Sequence, residues 1–367
     1  MSRSSTLRTP STQGQANARG WLTKQLAGAA LLGGMLLAGA DGVRACSRVF
    51  SSAVSNGQAM VVGRTMDLFV SDNAALVMRS PGMVAGEFFG DADPNPKRWT
   101  VRFGSVGVLS LEKVLSDGLN ERGLNANLLY LDGSRYGSRS SDRPGISNAN
   151  MVAFVLDNFA TVEEALAGLR QIQVVSDKLM NREWGLHLSL ADRGGDSAVV
   201  EYIDGQMVVH RGAKTAVMTN EPPLDWQLRN LKRYKPFGGT LALPGDVDPP
   251  SRFVRGSTYL STLPKAKSQD DAEANLYGVM KNIAVPAGAQ DYSGGTSVDS
   301  WDTLWTVIVN MSAGSYAFQL AHNPYPVWVD LDQLTWKPGG GMRRLDVQSP
   351  DLTGDVSQLL NRAPVQP

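Results

Sequence analysis

The chain has 367 residues, with 35 basic and 35 acidic side chains for a formal charge of zero, and 42% of it is hydrophobic. That is an ordinary share for a chain that buries a core, and a neutral balance gives no reason to expect nucleic acid or an anionic membrane surface as partner. A single cysteine, Cys46, excludes an internal disulfide and a cysteine-built zinc site. Three scattered histidines (His187, His210, His322) argue against a histidine metal cluster, so no metal or cofactor is expected.

At the N-terminus Arg3, Arg8, Arg19 and Lys24 precede an apolar run from Leu26 to Ala40. The run has the length of a signal-peptide core and is short for a membrane span. Residues 1–45 therefore read as signal and propeptide, and residues 46–367 as one domain, periplasmic or secreted and not stably inserted in a membrane. Ala38-Gly-Ala40 is one cleavage pattern, which leaves Asp41 to Ala45 as a short propeptide still to be removed, by a protease or by autoprocessing. Val43-Arg-Ala45 is another, ending directly before Cys46. Removing residues 1–45 leaves 30 basic and 34 acidic side chains. A cysteine at this place also resembles the bacterial lipoprotein box, but Arg44 stands where that pattern has a small residue. A lipid-anchored periplasmic binding protein acylated on Cys46 is thus the alternative from another class.

From Cys46 onward the pattern is mostly β. Ser47 to Val54 reads as a strand, Asn56-Gly57 as a two-residue hairpin turn, and Gln58 to Asp67 as the returning strand. That turn pairs Cys46 with Asp67 and Arg64 with Val49, so Arg64 reaches the thiol only across a bulge or bend. Strands follow at Ala75 to Arg79, Val101 to Phe103 and Val106 to Leu111. Ser116 to Leu131 reads as strand, tight turn at Asn120 to Gly123, and strand. The Gly-, Ser- and Arg-rich stretch from Asp132 to Asn150 is a loop long enough to serve function.

Helices are expected at Asn150 to Phe159 and at Thr161 to Leu169, the second opened by the capping box Thr161-x-x-Glu164. An antiparallel meander covers Leu186 to Leu190, Ser197 to Tyr202, Met207 to Val209 and Ala216 to Thr219. Three helices (Leu224 to Lys232, Ser251 to Leu263, Asp270 to Ile283) precede strands at Thr303 to Met311, Ser315 to Leu320 and Val327 to Asp330. A loose proline-bearing tail ends the chain. Strands in runs with helices between them make the class α+β with mainly antiparallel sheet.

Cys46 is the residue with the most chemistry. At a new N-terminus it carries a thiol, intrinsically nucleophilic, and an α-amine whose pKa of about 7.7–8.0 makes it a base near neutral pH. Such an enzyme needs no histidine, and His187 reads as structural. Arg64 beside the sulfur would favour thiolate, and Asp67 would orient the amine.

Five motifs in order carry a resemblance: Cys46-Ser-Arg-Val-Phe50 with Gly63-Arg-Thr-Met-Asp67, Asp117-Gly-Leu-Asn-Glu-Arg-Gly-Leu124, Leu156 to Glu164, Met218-Thr-Asn-Glu-Pro222, and Leu243-Pro-Gly-Asp246 with Ser251-Arg-Phe253. Together they resemble the choloylglycine hydrolase and penicillin V acylase family of N-terminal-nucleophile hydrolases, in its exported Gram-negative branch. The resemblance implies an αββα sandwich of two antiparallel sheets. It implies Cys46 as nucleophile, Arg64 near sulfur, Asp67 on the amine, Asn220 and the Tyr130 N–H as oxyanion donors, and Arg252 in the charge network. It further implies hydrolysis of a linear carboxamide in a small acyl-amide substrate: penicillin V, N-acyl homoserine lactones, or, as the alternative, conjugated bile salts. Between Leu231 and Leu243 the chain lacks the long loop that helps many members form a tetramer, which leaves a homo-oligomer open but counts against that tetramer.

Overall fold

The computed structural model describes residues 46–179, 181–293, 298–349 and 351–366. The signal core and both cleavage patterns lie outside the described residues. Strand β1 (Ser47–Ser51) runs into a short helix α1 (Ala53–Asn56) and returns as β2 (Val61–Asp67). Next come β3 (Ala75–Arg79), β4 (Ser105–Ser110), β5 (Val114–Asn120) and β6 (Leu124–Tyr130), then α2 (Met151–Asn158) and α3 (Val162–Gln171). The meander β7 (Leu186–Asp192), β8 (Ser197–Ile203) and β9 (Gln206–Arg211) leads to β10 (Val217–Thr219), α4 (Leu224–Leu231), α5 (Pro249–Thr262) and α6 (Gln269–Ile283). The chain ends through β11 (Thr303–Asn310), β12 (Ser315–Leu320), β13 (Val327–Asp330), β14 (Met342–Asp346), β15 (Gly354–Asp355), α7 (Ser357–Arg362) and β16 (Val365–Gln366).

Among the described residues, two large sheets stand beside several two-stranded ones: the first has the order β10-β1-β2-β11-β12-β13-β15 and the second β9-β8-β7-β6-β5-β4-β3-β14-β16. In these two, neighbours run antiparallel except β13 beside β15. Side-chain alternation shows how the sheets stack. Leu76 and Met78 enter the core that also holds Val62 and Val307 of the first sheet, while Val77 between them packs with Met151 and Leu166 of α2 and α3. Helices α5 and α6 cover the outer face of the first sheet, Met280 and Ile283 joining the same core. The result is the expected four-layer α+β sandwich, helices outside and two sheets within.

Local chemistry explains the joints. Asn120 Oδ1 accepts the N–H groups of Arg122 and Leu124, both at 3.0 Å, and Gly123 takes φ 84°, which closes the β5–β6 turn. The Asn120 amide donates to Leu156 O and Phe159 O, pinning α2 to the sheet. Thr161 caps α3 by accepting from Glu164 N. At Gly63 an added Cβ would lie 2.5 Å from Met280 Cγ, so glycine is what lets α6 rest on β2.

Three expectations need correction. Asn56-Gly57 is not a two-residue hairpin turn: Ser52 caps α1, Gly57 ends it at φ 87°, and Asn56 Oδ1 takes the N–H groups of Gln58 and Ala59. The longer connection moves the register by one residue, so Arg48 faces Arg64 and Ser47 faces Thr65. Val101 to Phe103 is not a strand; the pairing there is Trp99–Thr100 with Val84–Ala85. Nor is the tail loose, because β14 runs antiparallel to β3 as part of the nine-stranded sheet.

Candidate active site

A one-residue change of register sends every side chain to the other face. In the observed register Cys46 comes opposite Met66, and Cys46, Arg64 and Met66 share the face turned to the nine-stranded sheet. No bulge in β2 is needed to bring Arg64 to the thiol. The irregularity lies on the neighbouring strand, where β11 shifts register between Thr303 and Trp305 against Asp67 and Met66. Cys46 Sγ lies 3.9 Å from Met66 Sδ and 3.6 Å from the Asp67 carbonyl.

Arg64 is wholly buried. Its guanidinium stands 4.3 Å over the Trp305 ring, and Nη2 donates to Leu128 O at 3.1 Å. Nε and Nη1 have no hydrogen-bond partner, so their positive field is available to the cleft. Burial pushes the Cys46 thiol up from its ordinary value, and Arg64 is the largest influence opposing that rise. The counter-charge to Arg64 between the sheets is Asp117, held by Tyr316 Oη and Asn127 Nδ2, both at 2.7 Å. Burial raises Asp117 to about 6, with Arg64 first among the groups that lower it.

Asp67, Thr65 and Ser47 face the opposite way, toward α5. Asp67 Oδ1 accepts from Thr303 Oγ1 at 2.5 Å and Oδ2 from Thr65 Oγ1 at 3.3 Å. Arg252 Nη1 stands 3.6 Å from Asp67 Oδ2 and also donates to Ser47 Oγ, while its Nε donates to Val247 O at 2.8 Å. Arg252 is therefore fully buried, although it follows the capped start of a helix. Burial pushes Asp67 up to about 7 against the pull of Arg252, Thr303 and Arg64.

Strand β6 supplies the opposite wall. Leu131 N donates to Gly185 O at 2.9 Å, which makes Tyr130 and Leu186 the adjoining pair without mutual hydrogen bonds. The peptide groups of Leu128 and Tyr130 thus point away from β7, toward the side where β5, paired with β6 only from Asp117 to Leu119, has diverged. Leu128 O meets Arg64, and Tyr130 O accepts from Asn220 Nδ2 at 2.7 Å. The Tyr130 N–H is directed out of the same edge. An asparagine amide has two hydrogens, so the bond to Tyr130 leaves Asn220 one more to donate.

Cys46, Arg64, Asp67 and Tyr130 line one cleft, whose remaining wall is chiefly apolar: Leu68, Leu111, Val114, Trp184, Leu186 and Trp301. Asn220 and Arg252 stand behind it, in contact with Tyr130 and Asp67 respectively. Tyr130 meets Trp184 edge to face, centroids 5.8 Å apart, and Trp301 at 6.0 Å. Of the long loop expected to be functional, only its end, at Asn148 and Ala149, reaches this cleft. Asp132 and the run from Ser134 to Ser138 instead border a neighbouring cavity of about 640 Å³ that shares Tyr130 and Trp184. Thr303, Asp117, Trp184 and Trp301 carried no role in the sequence reading. Only Asp117 had a signal, its place in the Asp117-Gly-Leu-Asn motif. One carboxylate group, Asp246, Asp248 and Asp291, gathers within 4.8 Å among the described residues; Asp248 is engaged as the cap of α5.

Such a site can present a sulfur nucleophile to an acyl group held in an apolar slot, with backbone and amide donors opposite. Comparison with known proteins agrees. Residues 46–352 match the family model for linear amide C–N hydrolases, choloylglycine hydrolase family. A penicillin V acylase of Pectobacterium atrosepticum is 35% identical over 295 residues, 73% of this chain and 78% of that one. A bile salt hydrolase/transferase of Clostridium perfringens is 25% identical over 257 residues, 62% of this chain and 76% of that one. The solved penicillin V acylase of Agrobacterium tumefaciens superposes with a TM-score of 0.75 at 33% identity, covering 88% of this chain and 98% of that structure.

Proposed function

The chain belongs to the choloylglycine hydrolase family of linear amide C–N hydrolases, and from that premise we propose that it is a penicillin V acylase-type enzyme whose nucleophile and base are both supplied by Cys46 once residues 1–45 are removed. The family match begins at Cys46, which supports that residue as the mature start. In the proposed reaction the amine takes the thiol proton as sulfur attacks the amide carbonyl. The oxyanion forms against the Tyr130 N–H and the second hydrogen of Asn220. Collapse breaks the C–N bond, the amine product leaves with the proton from the N-terminal ammonium, and water then cleaves the thioester to the acid. Asp67, braced by Thr303 and Arg252, orients the amine. Arg64 favours thiolate.

The observation that carries this reading is the cleft: a buried thiol beside a guanidinium two of whose nitrogens have no hydrogen-bond partner, in a slot also lined by Tyr130, Trp184 and Trp301. Aromatic edges and faces suit an aryl acyl group such as phenoxyacetyl. Long-chain N-acyl homoserine lactones suit the same apolar walls and are the second substrate class. Conjugated bile salts are the alternative, supported by the relative of that activity. We place the mature protein in the periplasm or outside the cell, on the strength of the apolar run before Ala40. Assay of purified mature protein against penicillin V, a long-chain acyl homoserine lactone and a glycine-conjugated bile salt tests the proposal. Release of phenoxyacetate that disappears in Cys46→Ala supports it. Turnover of none of the three, or turnover that survives Cys46→Ala, refutes it.

A further inference from the structure

Glu201, on β8, is buried away from the thiol among groups the reaction does not use. His187 lies across from it on β7, Nδ1 3.6 Å from Glu201 Oε1, and His210 on β9 places Nε2 3.2 Å from Oε2. Among the described residues, Asp225 of α4 also faces this cluster, Oδ1 3.7 Å from His210 Nδ1, with its side chain largely exposed. Glu201 Oε1 also accepts the Leu224 N–H at 2.9 Å. Burial works to raise this carboxyl, yet the two imidazoles and the Leu224 N–H outweigh it and hold Glu201 down at about 2.

That bond to Leu224 has a local reason. Leu224 is the first residue of α4, and its N-cap position is Pro223, which makes no side-chain cap. A helix start needs acceptors for its free N–H groups and favours negative charge. Glu201, distant in sequence, provides both. The segment fixed in this way begins four residues earlier at Asn220. Gln227, one turn into α4, donates to Glu221 O at 3.2 Å and reaches Thr219 Oγ1 at 3.4 Å, so both sides of Asn220 are tied to this helix.

Resting on the reading of Asn220 as an oxyanion donor, we propose that Glu201 is a positioning residue for the amidase reaction: hydrogen-bonded to His210 and flanked by His187, it anchors the first turn of α4 and thereby sets the Asn220 amide against Tyr130. A displacement of about 1 Å in a catalytic group can cost about 10²-fold in rate, and loss of one oxyanion donor about 10²–10³.

The test compares Glu201→Met, which fills the space without an acceptor, with Glu201→Gln, which keeps the acceptor, each also placed on an Asn220→Ala background. The Met variant should lower kcat by about 10–100-fold with KM within about twofold. Gln should recover kcat to within about threefold. On the Asn220→Ala background Glu201→Met should cost less than about twofold more, because both changes remove one donor's placement. Thermal melts establish that each variant folds. A Gln variant as impaired as Met, an unimpaired Met variant, or losses that multiply on the Asn220→Ala background would overturn the proposal, and the Gln arm decides even where Met does not fold. Hydrolysis by the unmodified enzyme separates the two readings: its absence counts against the amidase assignment, whereas an active enzyme indifferent to Glu201 counts against this inference alone.

Discussion

Thr303→Val removes one hydroxyl and nearly keeps the shape of the side chain. That hydroxyl donates to Asp67 Oδ1 at 2.5 Å and accepts the Val285 N–H at 2.8 Å. Asp67 already stands near 7 because burial outweighs the groups that favour its charge, of which the nearby Arg252 counts first and the Thr303 hydrogen bond next. A hydrogen bond to a charged group contributes about 1.5–3 kcal/mol. One pKa unit corresponds to about 1.36 kcal/mol, so losing the bond should lift Asp67 by about one to two units. If ionised Asp67 orients the N-terminal amine, the acid limb of kcat/KM must move upward by the same amount. At pH 7 the variant should be slower by about 5- to 50-fold, with most of the loss recovered near pH 9. Leaving the Val285 N–H without its acceptor should also cost about 1–3 kcal/mol of stability. Phenoxyacetate release from penicillin V between pH 5 and 9, with Thr303→Ser as the rescuing control, measures this. A loss that is uniform across pH, or an acid limb that stays in place, refutes the role given to Asp67.

Arg64→Met should raise the thiol further, since Arg64 is the largest influence opposing the effect of burial on Cys46. The pH dependence of Cys46 alkylation by iodoacetamide should shift upward and kcat/KM fall, whereas an unmoved alkylation profile would exclude Arg64 as the group that favours thiolate. Gly63→Ala should cost about 1–3 kcal/mol in urea unfolding, because its Cβ would meet Met280 Cγ at 2.5 Å; an unchanged midpoint would show that α6 can retreat. Asp117, raised to about 6 when folded, keeps its proton where the unfolded chain has lost it. Wild type should therefore lose stability relative to Asp117→Asn as pH rises from about 4 to about 6, and a difference in melting temperature that is flat or opposite in slope would contradict this.

The α+β class and the motif positions were readable in the sequence because they rest on local chemistry, whereas the four layers came from the family resemblance. The Asn120 to Gly123 turn and the Thr161 cap each form within four residues. The first hairpin was misread for a local reason too. Asn-Gly is a strong turn signal, but Ser52 and Gly57 also satisfy the two ends of a helical turn, and the buried Asn56 side chain favours that outcome. That single residue of register decided whether Arg64 faced the thiol. The buried arginines were unreadable because charge ordinarily marks the surface. Arg48 and Arg252 are fully buried only because partners far along the chain, Thr215 O for one and Asp67 for the other, converge on them. Met342–Asp346 gave no strand signal because its place depends on backbone pairing with β3 rather than on a period in its side chains.

The central claim is that one residue provides both sulfur and base, and the N-terminal peptide of enzyme quenched during penicillin V turnover tests it directly by mass spectrometry. The expected peptide begins at Cys46, has an unmodified amine, and carries the phenoxyacetyl group as a thioester on sulfur. A peptide that extends upstream of Cys46, carries a blocked or lipidated N-terminus, or bears the acyl group on another residue would contradict it.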